Sequence, residues 1–287
     1  MSDTQSKILV VGLQTHDAGK TTLCKALIHG FRQSGVNLVP FKPHSGISYW
    51  TQFDAFQESL VRGILLSSDI IELEQAAHSG LPLEILNPVN RLSSPLLDRG
   101  LPEERLAFRE FVAQRFTRYD GTKPAHVYYL NGTMNLTNVR DMRQFYVAIR
   151  EKAQKVVFIR SLQQLVKAYL DNFDKATSSC HRFLEDKPLI LESFNDAAYP
   201  CNGAENCGLV LGVYSNVILQ FKADEYFKAI ELRGHQKPKL QLTTADVYAS
   251  SLIKRKYQVQ PLSNQERTEP ARLIDDYSEI IDDLMRY

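Results

Sequence analysis

The residues best suited to chemistry stand together near the start of the chain. Gly19-Lys20-Thr21-Thr22 lies between an apolar, β-branched run, Ile8 to Val11, and a helical apolar period that reaches Leu27. A phosphate needs backbone N–H groups at a helix start and a glycine where the chain approaches closely. It also needs a lysine on the β/γ-phosphates and a hydroxyl for Mg²⁺. Gly19, Lys20 and Thr21 match those roles, and Thr15, His16, Asp17, Ala18 and Thr22 complete the loop around them. The pattern GxxxxGK[ST] places its first glycine at position 14, where Gln14 stands, so strand, loop and helix order carry the reading.

Other candidates follow from where strands are expected to end. Asn37 to Phe41 reads as a second strand leaving through Lys42-Pro43-His44-Ser45-Gly46. A cation and a hydroxyl at the carboxyl end of a strand sit where open α/β sheets bind ligands, although Pro and Gly also suit an ordinary turn. Ser67-Ser68-Asp69 reads as a helix start, with Asp69 either a cap or a site carboxylate. Pro188 to Leu191 reads as a strand delivering Glu192, which is either a metal carboxylate or a solvated loop residue. Cys180-His181, Cys201 and Cys207 fit no standard zinc spacing, and reduced thiols are expected for all four cysteines.

The elements that must position these residues alternate in type. Helical periodicity covers Gly19 to Ser34, Phe53 to Leu66, Asp69 to Ala77, Asn138 to Ala153 and Leu162 to Ala176, and Glu103 to Arg118 is amphipathic. His126 to Leu130 and Lys155 to Ile159 read as the third and fourth strands, the third ending in Asn131-Gly132-Thr133. Leu86 to Pro95 contains two X-Pro steps and reads as a loop. Beyond Pro200, Leu209 to Val213 and Val217 to Phe221 form a candidate hairpin, then a short helix from Asp224 to Leu232. Leu240 to Leu262 is ambiguous, and Pro270 to Arg286 is a closing amphipathic helix with a solvated acidic face.

This alternation predicts an α/β fold of the P-loop NTPase kind, a mainly parallel, twisted sheet with helices on both faces. One domain over residues 1–287 is expected, with a nucleotide-binding core at 7–200 and a C-terminal portion at 201–287. The 287 residues carry 34 basic and 33 acidic side chains, a net charge of +1 that gives no nucleic-acid or acidic-membrane footprint. No stretch reaches the roughly 18 to 20 apolar residues of a membrane span, and MSDTQSK is not a signal region, so a soluble, cytoplasmic protein is expected.

With these landmarks placed, the chain resembles the dethiobiotin synthetase family and its relatives, the cobyric acid and cobyrinate a,c-diamide synthases. HDAGKTT resembles their phosphate loop, PFKPHSG their second-strand exit, and Ser68-Asp69 their S-D step. Asn87-Pro88 and Ser94-Pro95 resemble the substrate-side N-P and S-P steps, and Asn195-Asp196 through Pro200 the N-D-x-x-x-P turn at the adenine. The resemblance covers about Ile8 to Pro200 and implies ATP, Mg²⁺ and a substrate carboxylate or carbamate phosphorylated before ring closure or amidation. It also implies a homodimer, Asn195 and Asp196 at the adenine, and Ser45, Asn87 and Ser94 near the substrate. Where the family carries an acidic third-strand motif for Mg²⁺, this chain has Asn131-Gly132-Thr133. Asp69 and Glu192 are therefore expected to share the ion with Thr21, with Asn131 bonding a water or the substrate.

Three functions compete on this reading. An ATP-dependent ligase or synthetase would use Lys20, Lys42 and Thr21-bound Mg²⁺ to stabilise charge on the transferred phosphoryl group, with Asp69 beside them. A kinase acting on a hydroxyl would need a base, for which Asp17, Asp69 and Asp196 are candidates. A nucleotide switch acting through protein partners fits less well, because the partitioning type carries an extra early lysine where Leu13, Gln14 and Thr15 stand here.

Overall fold

Two β-sheets, each assembled from distant stretches of sequence, carry the α/β architecture, with helices on both sides. The computed structural model describes residues 7–15, 18–94, 108–134 and 141–286. Met1–Pro43, Glu72–Gly80 and Leu184–Tyr287 make one compact unit; His44–Ile71 and Leu81–Phe183 make the other.

In the first unit, the central strand β1 (Lys7–Gly12) runs parallel to β8 (Leu189–Glu192) and to β9 (Leu209–Tyr214). Beyond β8 lies β2 (Val39–Phe41), also parallel. On the far side, β10 (Val217–Phe221) and β11 (Ile253–Gln258) add antiparallel, giving the order β11-β10-β9-β1-β8-β2. Ile8, Leu9, Val10 and Val11 are all fully buried, as a strand covered on both faces requires. Helix α1 (Lys20–Gln33) buries Leu23, Cys24, Leu27, Ile28 and Phe31. Its Gly30 admits Ile281 from the Ser278–Met285 helix, since a Cβ at Gly30 would lie 2.7 Å from that side chain.

The closing segment differs from expectation in two ways. It is two helices, Pro270–Asp276 and Ser278–Met285, separated at the buried Tyr277 (φ −107°, ψ 13°). Its acidic residues are not all solvated, because buried Asp283 accepts from the Tyr257 hydroxyl at 2.5 Å and pairs with Arg255 at 2.5 Å. These bonds tie the last helix to β11.

The second unit holds the sheet β3-β4-β5-β6-β7. Its strands are β3 (His44–Ser48), β4 (Val89–Ser93), β5 (Phe111–Tyr119), β6 (Pro124–Asn131) and β7 (Ala153–Ile159). Pairing is parallel at β3–β4 and β6–β7 and antiparallel on both sides of β5. The expected third and fourth strands, β6 and β7, therefore do not extend the sheet of β1. The amphipathic pattern over Glu103 to Arg118 gives a strand from Phe111, where aromatic and β-branched side chains are buried on both faces. Asp120-Gly121 is the β5–β6 hairpin turn. There Asp120 Oδ1 accepts from Thr122 N at 2.9 Å, and Gly121 adopts φ 95°. Val89–Ser93, expected in a loop, is a strand, and the Leu162–Leu184 helix runs past the expected end at Ala176. The Phe53–Arg62 helix stops earlier than expected, at Gly63 with φ 66°. Among the described residues no helix is long and apolar enough to cross a membrane.

Fully buried Arg115 on β5 joins the loops of this unit. Its guanidinium donates to the carbonyls of Leu65 (2.9 Å) and Asn87 (2.7 Å) and to the Thr117 hydroxyl. Because Thr117 accepts from Arg115, its own proton is available to His126 Nδ1, 3.0 Å away. Burial first, then the charges of Arg115 and Lys152, push the His126 pKa down to about 3 from 6.5. The folded state thus holds His126 neutral, and its contribution to stability is complete above about pH 6.5 and is lost as pH falls toward 3. Stability measured by urea unfolding should fall across that window by up to about 1.4 kcal/mol per pH unit from this group alone. His126→Gln should flatten that slope; an unchanged slope contradicts this account.

Candidate functional site

The loop after β1 leads into α1 through a conformation that Gly19 makes accessible, φ 93° at the residue before the helix. Among the described residues no side chain caps this end and no acidic residue lies in the first turn, so its N–H groups present partial positive charge. His16 and Asp17 lie outside the described residues; Thr15 is exposed, Ala18 buried and Thr22 half-buried. Lys20 Nζ, nearly buried, donates to the carbonyl oxygen of Asn195 at 2.8 Å. At Gly12 there is no room for a side chain, since a Cβ would meet Asn195 O at 2.7 Å and Lys20 Nζ at 2.9 Å.

Sheet order brings the next residues together. Val10 of β1 lies beside Glu192 of β8, and Phe41 of β2 lies beside Leu191, so β8 ends between the exits of the other two strands. Glu192 Oε1 receives the Thr21 hydroxyl at 3.0 Å from one side and Lys42 Nζ at 2.5 Å from the other. Glu192 is 1% exposed and Lys42 3%, so the pair exchanges few contacts with water. Two ammonium groups, a helix N-terminus, a hydroxyl and a carboxylate thus share the carboxyl edge of one sheet. That set suits an anion bearing a hard cation: Thr21 and Glu192 are the oxygen donors Mg²⁺ prefers, and Lys20 and Lys42 supply countercharge.

Asn195 (φ 48°) and Asp196, both half-buried, follow Glu192. Asp196 O accepts from Thr244 N at 2.8 Å, and Thr244 Oγ1 donates to Gly12 O at 2.8 Å. Thr244 was not among the residues expected at the site. The Thr243-x-x-Asp246 spacing marks a helix start, and Asp246 accepts from Thr243 N at 2.8 Å, but nothing local names Gly12 as a partner.

The remaining expected residues belong to the second unit. Asp69 lies in the first turn of the Ser68–Ala77 helix, where Ser67 Oγ accepts from Ile70 N at 3.4 Å. Ser45 is fully buried on β3 and donates to Asn87 Oδ1 at 2.8 Å, and Asn90 donates to the same oxygen at 3.0 Å. Ser94 is buried, its N–H bonded to Glu110 O. Asn131 is engaged by its own surroundings. Its amide donates to Phe108 O and Phe111 O, and its Oδ1 accepts from Thr133 N and Oγ1 at 2.9 and 2.7 Å. Both acceptor directions of that oxygen are used within the turn. All four cysteines are buried free thiols, burial pushing Cys180 and Cys207 up to about 12. Among the described residues no group of three or more His, Cys, Asp or Glu side chains is placed to hold a metal.

No protein-family model, no curated protein and no solved structure matches this chain.

The Lys42–Glu192 pair yields a stability test. Removing one partner of a buried pair strands the other charge, at a cost of about 3–5 kcal/mol, whereas replacing both with apolar groups costs much less. Chemical denaturation should therefore show Lys42→Met as strongly destabilised and Lys42→Met/Glu192→Leu as substantially recovered. Additive losses in the double variant would contradict the pairing.

Proposed function

We propose that the first unit is a P-loop-type nucleotide site that binds Mg²⁺-ATP, and that the protein uses it to phosphorylate a carboxylate of a small molecule. The observation that carries this reading is the convergence of Thr21 and Lys42 on one buried carboxylate, Glu192, at the helix start bearing Lys20. Lys20 and the first-turn N–H groups bind the phosphates, and Thr21 with Glu192 holds the ion. Lys42 offsets negative charge that builds on the transferred phosphoryl group. Glu192 takes the part that an acidic third-strand motif plays in the dethiobiotin synthetase family, which the loop motifs resemble. In this reading Asn195 and Asp196 meet the adenine.

A carboxylate acceptor is favoured over a hydroxyl by the chemistry of the site. A carboxylate oxygen attacks the terminal phosphorus without first losing a proton, giving an acyl phosphate and ADP, whereas a hydroxyl needs a base. Of the described carboxylates here, Glu192 is already engaged by a hydroxyl and an ammonium, which does not suit it to act as that base. Lys20→Ala and Thr21→Ala should each abolish Mg²⁺-ATP binding measured by calorimetry while leaving the circular dichroism spectrum unchanged. GTP should compete weakly. Undiminished affinity in both variants would remove the assignment.

A further inference from the structure

We infer that Thr244, 232 residues from Gly12 in sequence, is a positioning residue for the phosphate loop, an inference that rests on the nucleotide-site reading above. Alternate carbonyls of a parallel strand face the same neighbour. Val10 O, facing β8, accepts from Ser193 N at 2.9 Å, so Gly12 O two residues on faces the place where β8 would continue. Strand β8 ends at Glu192, and at Asn195 the backbone turns into a left-handed conformation, φ 48°. The ladder therefore stops one step short of Gly12, and a buried carbonyl there needs a donor. Thr244 Oγ1 is that donor, at 2.8 Å, from a side chain only 2% exposed.

The donor is itself fixed to the segment that replaces the ladder. Thr244 N donates to Asp196 O at 2.8 Å, Ala198 N donates to Leu242 O at 2.9 Å, and Ala197 bridges Thr243 in antiparallel fashion. One residue thus sets the spacing between the start of the phosphate loop and the Asn195–Asp196 turn. The space it sets is narrow, because Gly12 abuts both Asn195 O and Lys20 Nζ. A shift of Gly12 moves the wall against which Lys20 rests, so the hydroxyl of Thr244 acts on nucleotide affinity through Gly12 and Lys20.

The test is the affinity of the full chain for a fluorescent, non-hydrolysable ATP analogue with Mg²⁺, well below the melting temperature of every variant. Thr244→Val keeps the shape and removes the donor, and should weaken binding about fivefold or more. Thr244→Ser should stay within about twofold of the parent. Thr243→Val loses a hydroxyl that bonds Asp246 rather than Gly12, and should also stay within about twofold. If the valine variant does not fold, Thr244→Cys replaces it, with weakening of about threefold expected for its poorer donor. Unchanged affinity in Thr244→Val, or in Thr244→Cys where it takes its place, or an equal loss in Thr243→Val, overturns the inference while Lys20→Ala still abolishes binding. If Lys20→Ala leaves binding intact, the nucleotide-site reading falls and this inference with it.

Discussion

The first unit depends on how one buried acidic side chain is given hydrogen-bond donors. Glu192 sits at the end of β8, almost without exposure to water, and a carboxylate in that position is tolerated only with donors close by. Thr21 and Lys42 provide them, and each arrives because its own strand borders the carboxyl edge where β8 stops: β1 through α1, and β2 directly. With β8 anywhere but between β1 and β2, one of the two donors would be out of reach.

The same ending of β8 creates the other features of the site. Where the strand stops, the chain turns at Asn195, whose carbonyl takes the Lys20 ammonium and excludes any side chain at Gly12. The backbone oxygen left at Gly12 is satisfied from the C-terminal region by Thr244. Residues 201–286 are therefore part of how the end of β1 is held, and their hairpin and final strand extend the sheet that carries it. The helices that follow pack onto α1 through the Gly30–Ile281 contact.

How much of this was legible in sequence depends on how local the determining interaction is. Strand β1, the turn at Gly19 and helix α1 are encoded by neighbouring residues, as is the hairpin around Tyr214-Ser215-Asn216, and the structure holds each where the sequence places it. Lys42 and Glu192 were identifiable as strand exits because apolar runs precede them. Sheet membership was not legible, because an apolar run such as His126–Leu130 says that a strand is buried but not which strand it joins. Phe111–Tyr119 was legible only as part of an amphipathic stretch, because a strand buried on both faces shows no alternation to mark it. Asn131, singled out because it stands where the resembling family carries an acidic motif, closes its own Asn-Gly-Thr turn. Thr244 was invisible because its partner is a backbone carbonyl near the other end of the chain.

The most direct measurement is a crystal structure of the protein with a non-hydrolysable ATP analogue and Mg²⁺. The account predicts phosphates at the first turn of α1 against Lys20, with the ion bonded to the Thr21 hydroxyl and to Glu192 directly or through one water. Lys42 should reach the terminal phosphate. Nucleotide bound elsewhere, or an ion held with no contribution from Thr21 and Glu192, would contradict it.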